Sequence, residues 1–421
     1  MTLKSLIKPS ENQIQWADAE FGMFCHFGMN TFVNKEWSNG TFPPSKFNPT
    51  KLNCEQWVST AKEAGINYMI LTTKHHDGFC LWQTKTTDYC VRNSPWKNGK
   101  GDVVAEFVAA CRKHDMKFGF YLSPWDRHEP KYQDKDAYDI FYTAQLTELL
   151  TLYANHDEIF EIWFDGAGSA GRVYDWKRFM AVIKEHQPHA NIFGMGDHTI
   201  RWVGNESGYA PYPTWNVAPS GGKDDYLRSI GQTKIPGEYW IPAECDVPIH
   251  HFHWFHHTGF KGIIYKKMLF TKDKLVELYE RSIGHGANLL LNLAPNKEGL
   301  LAEVDINRLN EMVAEVRRRY SKALATTSGK GKEIILKLPL KTNANAVIIQ
   351  EDIREGERIR KYHLEALIDG QWSIISCEEP GIAVGHKKID KFSSLITDAI
   401  KLIVEESIEE PIIRNFQAFS Y

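Results

Sequence analysis

Two carboxylate residues, Asp165 and Glu206, are the leading candidates for acid and base chemistry in this sequence. Asp165 directly follows the apolar run Ile162–Phe164, and Gly166 behind it leaves room for a ligand to approach. Glu206 lies in a Gly-Asn-Glu-Ser-Gly segment that is flexible enough to place a carboxyl group over a pocket. Two such groups permit glycoside hydrolysis, in which one attacks the anomeric carbon or activates water and the other protonates the leaving oxygen. The alternatives are an aspartate that caps a helix or forms a turn, and a solvated loop glutamate.

Adjacent histidines add hydrogen-bonding capacity near the second strand-like run. His75 and His76 point in opposite directions if the backbone is extended, so they reach one ligand only where the chain bends. The HxH and HExxH spacings of zinc sites are absent around them. Hydrogen bonds to sugar hydroxyls are therefore favoured over metal binding, and a purely structural role stays open.

The segment His250–His257 holds five histidines in eight residues and is the strongest metal-like signal in the chain. Glu244 and Asp246 are the nearby residues that would supply carboxylate ligands. However, the aromatic residues between the histidines and the lack of a fixed ligand spacing favour a loop that packs over a pocket.

An alternating pattern predicts the scaffold that positions these residues. Short apolar runs, typical of strands buried on both faces, alternate with amphipathic helical stretches, the first of which ends at Gly65. Eight alternations in about 300 residues predict a (β/α)8-type barrel over residues 1–325. A doubly wound open sheet is the competitor, but no Gly-rich dinucleotide fingerprint follows the first strand. The runs are 21–28, 66–73, 117–122, 159–164, 191–195, 201–203, 239–243 and 288–293.

The pattern changes near residue 325, where helical spacing ends. Short strand-like segments at 333–338, 346–350, 362–368, 372–376 and 399–404 are separated by Gly, Pro, Asn and Asp. They predict a C-terminal antiparallel β-sandwich domain over residues 326–421. A role in supporting the barrel is favoured over a role in glycan binding.

The barrel prediction restricts where chemistry can occur, because active sites of such barrels lie at the C-terminal ends of the strands. Polar or titratable residues stand at nearly every predicted strand end. Buried charge is costly unless it is paired or used, so a polar pocket with aromatic walls is expected. Such a pocket suits a sugar. The residues concerned include His26, Glu36, Trp37, His75, His76, Tyr121, Asp165, Glu206, Glu244, Trp254 and Asn292.

Composition excludes several classes of function. The chain has 50 basic and 53 acidic residues, without the basic excess of a nucleic-acid-binding protein. No apolar run approaches the roughly 18 residues needed to span a membrane. The N-terminus lacks the apolar core of a signal peptide, which predicts a cytoplasmic protein, or an exported one if the chain has been trimmed. Seven scattered cysteines indicate reduced core thiols. The oligomeric state is not predicted.

Segments spread along nearly the whole chain resemble the α-L-fucosidases of glycoside hydrolase family 29. In order they are EFGMFCHFGMNTF with KEW, TTKHHDGF, FYLSPWD, EIWFDGA, GNESG, PAECD and NLLLNLAPNKEG, and the terminal PIIRNFQAF is similar to the family's closing sandwich strand. The resemblance implies a retaining exo-glycosidase that releases L-fucose from fucosylated oligosaccharides or glycoconjugates. No metal or organic cofactor is expected for this chemistry.

The resemblance also implies roles for single residues. Asp165 matches the family nucleophile, and Glu206 matches the acid/base of the subgroup that prefers α-1,3/1,4-linked fucose on branched, Lewis-type glycans. The positions that match fucose-binding residues are His26, Glu36, Trp37, His75, His76 and Tyr121, and Trp254 would form a wall near the sugar's methyl group.

The chain departs from that subgroup after the PAECD segment. The subgroup usually reads Ser-Ile-Arg-Pro-Gly-Trp-Phe there, whereas this chain reads PIHHFHWF, which is one residue longer and lacks the Arg and Gly.

Three alternatives stand beside the fucosidase interpretation. They are another barrel glycosidase such as a galactosidase, a metal-dependent hydrolase that uses His250–His257, and a sugar-binding module on an inactive barrel.

Overall fold

A computed structural model of the protein describes residues 6–218 and 239–421. Residues 1–5, which begin the segment considered above for a signal peptide, lie outside the described residues. Eight parallel strands form the first sheet: β1 (Phe21–Cys25), β2 (Tyr68–Lys74), β3 (Lys117–Leu122), β4 (Glu161–Trp163), β5 (Asn191–Phe193), β6 (Arg201–Trp202), β9 (Ala243–Pro248) and β10 (Asn288–Asn292). Neighbours run β5-β4-β3-β2-β1-β10-β9-β6, and a parallel bridge from Phe193 to Ile200 nearly closes the barrel. The predicted barrel is confirmed.

One predicted barrel strand, 239–243, was wrong. β7 (Val217–Ala218) and β8 (Tyr239–Trp240) pair antiparallel with each other in a separate small sheet, and the seventh barrel strand is β9. The charged residues Glu244 and Asp246 concealed β9 from a search for continuous apolar runs. They alternate with Cys245 and Val247, which belong to the apolar layer between the sheet and the helices.

Helices surround the barrel, and capping residues set where the third helix begins and ends. They are α1 (Glu11–Ala19), α2 (Met29–Val33), α3 (Cys54–Ala64), α4 (Val103–Lys113), α5 (Lys135–Leu152), α6 (Trp176–His186), α7 (Gly259–Lys267), α8 (Lys272–Ser282) and α9 (Glu303–Tyr320). In α3 the Asn53 side chain accepts the N–H of Gln56 at the start, and Gly65 ends the helix with φ of 79°. Gly65 therefore acts as predicted. Within the described residues, no helix is long and apolar enough to cross a membrane.

The barrel has two apolar layers with different compositions. Outside the sheet, helix residues such as Trp57, Val58 and Phe107 pack in one large cluster with the outward-facing strand residues. Inside the barrel, large aromatic side chains such as Tyr68 and Trp163 fill the space. Burying each such side chain contributes roughly 1.5–3 kcal/mol to folding. The aromatic interior forms a rigid base beneath the C-terminal ends of the strands.

The C-terminal part is antiparallel, as predicted, with a six-stranded sheet in the order β11-β16-β12-β15-β13-β14. Its strands are β11 (Ala325–Lys330), β12 (Glu333–Glu351), β13 (Ile359–Ile368), β14 (Gln371–Ile374), β15 (Lys388–Ser407) and β16 (Ile412–Phe419). The segments 333–338 and 346–350, predicted as separate strands, belong to the single strand β12. Register shifts interrupt its pairing with β15, and side chains from both halves of these long strands share one apolar cluster.

Hydrogen bonds and ion pairs join the antiparallel sheet to the barrel. His386 Nε2 lies 2.8 Å from Oδ1 of Asp18, on α1, and Lys391 Nζ lies 3.1 Å from Oε2 of Glu280, on α8. These contacts are consistent with a supporting role for the sheet, and the residues that line the pocket described below all come from the barrel.

Candidate active site

A pocket of about 490 Å3, including its open mouth, lies at the C-terminal ends of the barrel strands. Eight of the nine predicted site residues line it, and they are His26, Glu36, Trp37, His75, Tyr121, Asp165, Glu206 and Trp254. The ninth, His76, lies behind the wall with Nε2 3.4 Å from Asp165 Oδ2. Residue-level prediction missed Phe24, Trp163, Ala167 and Asp246, which also line the pocket.

Asp165 lies two residues beyond β4, accepts hydrogen bonds from two donors and lies beside His76. Its Oδ2 lies 3.1 Å from the hydroxyl of Tyr121, near His76, and its Oδ1 accepts the N–H of Ala167 at 2.8 Å. Burial opposes ionisation, but His76 and these hydrogen bonds outweigh it and hold the pKa of Asp165 below its ordinary value. The hydrogen bond from the Ala167 N–H closes a turn, which was one structural alternative for Asp165. The other alternative was a helix cap, but the residue that caps the next helix, α6, is Asp175.

Glu206 also lines the pocket and lies in the loop that follows β6. Gly204 and Gly208 flank it with φ of 100° and 74°, a left-handed conformation that favours glycine. The indole Nε1 of Trp254 donates to Glu206 Oε2 at 3.4 Å. Partial burial, together with the charges of Asp165 and Glu36, raises the pKa of Glu206, and the Trp254 hydrogen bond opposes this shift.

The three histidines of the site have fixed surroundings. Burial lowers the pKa of His26 to about 4, against the opposing effect of Asn292, whose Oδ1 lies 3.0 Å from Nδ1. Burial likewise holds the pKa of His75 well below its ordinary value, so both rings are neutral at pH 7. β2 ends at Lys74, and beyond it the rings of His75 and His76 lie only 4.1 Å apart. The bend that their joint action requires is therefore present.

The histidine-rich segment closes one wall of the pocket by binding Glu36. Glu36 Oε2 accepts the backbone N–H of Trp254 at 2.9 Å and of Phe255 at 3.2 Å. Its Oε1 lies 3.2 Å from His253 Nδ1 and is also hydrogen-bonded to His257 Nε2. Burial opposes ionisation, but these bonds lower the pKa of Glu36 to about 2. Its carboxylate is therefore ionised and its orientation is fixed.

The carboxylates first considered as metal ligands do not lie with these histidines. Glu244 is buried in the barrel interior, where it accepts from Tyr68 and Trp163, and Asp246 accepts the indole N–H of Trp202 at 2.7 Å. The carboxylate that lies beside His253 and His257 is that of Glu36, more than 200 residues away in sequence. No local sequence signal pairs residues so far apart, so this partner could not be found from the sequence.

The fold and the site together indicate a barrel glycoside hydrolase, since two carboxyl groups line one pocket with aromatic walls. The family model for α-L-fucosidase matches residues 36–318. α-L-Fucosidase 1 of Arabidopsis thaliana is 36% identical, over 96% of this chain and 86% of that protein.

Solved structures agree with the sequence comparison. A glycoside hydrolase family 29 member from a rumen bacterium has a TM-score of 0.90 and 34% identity, over 99% of this chain and 77% of that one. A family 29 fucosidase of Ruminococcus gnavus, solved with fucose, has a TM-score of 0.86 and 28% identity, over 100% of this chain and 96% of that one. The chain belongs to the α-L-fucosidase family, glycoside hydrolase family 29, and its activity is the hydrolysis of α-L-fucosides.

Proposed function

We propose that the protein is a retaining exo-fucosidase in which Asp165 is the nucleophile and Glu206 the acid/base. The observation that carries this proposal is the opposite direction of the two pKa shifts within one pocket. The pKa of Asp165 is lowered, which favours the ionised form that a nucleophile needs, and the pKa of Glu206 is raised, which favours the protonated form that an acid needs. Environments that separate two carboxyl pKa values in this way assign the acid and the nucleophile.

The reaction then has two steps. In the first, an Asp165 oxygen forms a bond to the anomeric carbon while the bond to the leaving oxygen breaks and Glu206 gives that oxygen its proton. In the second, the Glu206 carboxylate takes a proton from water, whose oxygen attacks the anomeric carbon and releases Asp165. Two inversions give net retention of configuration. Tyr121 and the N–H of Ala167 hold the attacking carboxylate in place throughout.

Neutral imidazoles and the fixed carboxylate are the proposed partners of the sugar hydroxyls. His26 Nδ1 donates to Asn292 Oδ1 and His75 Nδ1 accepts from Asn30 Nδ2. In the neutral rings this leaves Nε2 of His26 as an acceptor and Nε2 of His75 as a donor for the sugar, and Glu36 is an acceptor. Trp254 packs against His26 with ring centroids 4.9 Å apart and lies 6.2 Å from the ring of Phe24. This apolar corner suits the methyl group of fucose, whereas galactose would place a hydroxyl group there. Trp37, which is 50% exposed, lies at the mouth.

We further propose that the substrates are α-1,3/1,4-linked fucosides on branched, Lewis-type glycans. The support is the position of Glu206 in the GNESG loop, which is the position of the acid/base in the subgroup with that preference. Glu206 and its partner Trp254 both lie at the mouth, where the rest of a branched glycan would have to pass.

Fucose release from three substrates tests this proposal. They are a 3-fucosylated Lewis-type trisaccharide, an α-1,2-fucosylated lactose and an aryl fucoside. Strong preference for the trisaccharide is the expected result. Activity on the other two without activity on the trisaccharide would contradict the linkage proposal and remove most of the support for Glu206, and release from none of them would contradict the fucosidase assignment itself.

A further inference from the structure

The segment His250–His257 contributes two potential metal ligands, His253 and His257, that the proposed sugar chemistry does not use. One ligand atom each from Glu36, His253 and His257 lie within 4.8 Å of one another. We propose that these three residues form a binding site for a divalent transition metal ion of the Zn2+ type, and that a bound ion inhibits sugar hydrolysis. The inhibitory consequence rests on the sugar-binding role proposed for Glu36, while the metal site itself does not.

The donor set suits such an ion, which would replace the hydrogen bonds that now join Glu36 Oε1 to the two imidazoles. Two imidazole nitrogens and one carboxylate oxygen match Zn2+, which binds nitrogen at about 2.0–2.1 Å and keeps an open fourth position when it has three protein ligands. The backbone N–H groups of Trp254 and Phe255 hold Oε2 of Glu36. The other oxygen, Oε1, faces both imidazoles and can bind the ion alone.

The surroundings of the two histidines set the expected strength of binding. His257 is almost fully buried, whereas the side chain of His253 is 24% exposed and can adjust its position. To bind an ion through Nε2, His257 must carry its proton on Nδ1, which is buried without a hydrogen-bond partner in the described part of the chain. Loss of such a supporting bond typically costs about 10–100-fold in metal affinity, so we expect reversible binding on the order of micromolar.

Bound metal would act against the enzyme. Glu36 lines the pocket, and an ion on Oε1 would withdraw that oxygen from the sugar and place positive charge and a bound water at the wall. Inhibition should therefore be competitive, with a raised apparent KM and an unchanged kcat. This outcome differs from a metal-dependent hydrolase, which would lose activity when metal is removed.

Calorimetric titration of the chelator-treated full chain with ZnCl2 tests the site directly. The wild type should bind one ion, and His253→Ala should bind at least about 10-fold more weakly, since it loses one of three ligands. His251→Ala is the matched control, because His251 belongs to the same segment but stacks on Phe252 outside the cluster. His257→Gln provides a second ligand deletion, and the melting temperature of each variant verifies folding.

Equal zinc binding by the wild type and the folded His253→Ala protein would overturn the site. Fucose release with and without ZnCl2 then tests the consequence, and zinc binding with an unchanged KM would overturn the inhibitory role. Activity lost on chelation and restored by Zn2+ would also contradict the proposal. If no fucoside is cleaved at all but zinc binding still depends on His253, the proposed function fails and the metal site stands.

Discussion

Two pairs of carboxyl groups lie inside the same barrel at different depths, and their surroundings shift their pKa values differently. The pair at the mouth, Asp165 and Glu206, has pKa values shifted in opposite directions. The pair in the interior, Glu161 and Glu244, is fully buried, and burial raises both pKa values, that of Glu244 to about 7. Residue type is nearly the same in both pairs, so access to the pocket and the nearby donors decide which pair can carry out chemistry.

The interior pair is held by neutral donors. Glu244 accepts from the Tyr68 hydroxyl at 2.6 Å and from the Trp163 indole at 2.9 Å, while Glu161 accepts from the Trp16 indole at 2.8 Å. Trp163 in turn stacks on Tyr121 with ring centroids 5.4 Å apart. Since the Tyr121 hydroxyl contacts Asp165, two aromatic rings connect Glu244 in the interior to Asp165 at the mouth.

Loss of the nucleophile should give the largest effect. We expect Asp165→Ala to lower kcat by roughly 10⁴-fold or more on every fucoside while the protein stays folded. Glu161→Gln, which changes a carboxyl group at the other end of β4, is the matched control and should retain most of the activity. Initial rates and far-UV circular dichroism check both variants. Comparable rates in the two would contradict the proposal that the mouth pair, and not the interior pair, carries out the chemistry.

Loss of the acid/base should depend on the leaving group. Glu206→Ala should slow hydrolysis of oligosaccharides by about 10²–10⁴-fold but affect an activated aryl fucoside much less, because a good leaving group scarcely needs a proton. Since the role proposed for Glu206 requires a proton, wild-type activity should fall as pH rises through its raised pKa. That alkaline limb of the kcat/KM profile should disappear in the variant, and equal losses on both substrates would count against Glu206.

Removing one donor from Asp165 should give a smaller effect. Tyr121→Phe deletes the hydroxyl 3.1 Å from Oδ2, and hydrogen bonds to charged groups contribute about 1.5–3 kcal/mol, so a roughly 10–100-fold loss of kcat/KM is expected. The pKa of Asp165 should rise towards its ordinary value, and the acid limb of the profile should move to higher pH. An unmoved acid limb would show that this hydroxyl does not tune Asp165.

A change in the interior pair should affect stability more than catalysis. Glu244→Gln disturbs the bonds to Tyr68 and Trp163 and should cost about 1–3 kcal/mol in the free energy of unfolding, with activity changed only slightly. A folded-state pKa raised above the ordinary value means that the native state binds more protons, so its stability is fully present below about pH 4.5 and is lost as pH rises through about 7. Urea titrations across this range should show a flatter pH dependence in the variant, and an identical slope would contradict the assignment.

The sequence predicted the positions of site residues best where a structural rule of the barrel fixes them. Strand ends face the pocket in barrels of this kind, and this rule placed Asp165 and His26 correctly. It failed at β9, because Glu244 and Asp246 interrupt the apolar run and lie within the strand instead of beyond its end. Their alternation with Cys245 and Val247 was the available signal for the strand, because it places Glu244 and Asp246 together on the inner face of the barrel.

Contacts between distant segments could not be read from the sequence. The bonds of Glu36 to Trp254 and His257 depend on how two loops approach each other after the barrel has formed. The continuous strand β12 was likewise predicted as two pieces, because register shifts permit polar residues in mid-strand. The division of the chain near residue 325 stays a prediction.

The most direct test of the central claim is to trap the covalent intermediate. A 2-deoxy-2-fluoro fucosyl donor with an activated leaving group should let the fucosyl-enzyme accumulate, because fluorine slows its hydrolysis. Peptide mass spectrometry should then find one label per chain, on Asp165, and none in Asp165→Ala. A label on another carboxylate, or release of the inverted anomer without any covalent adduct, would contradict the account.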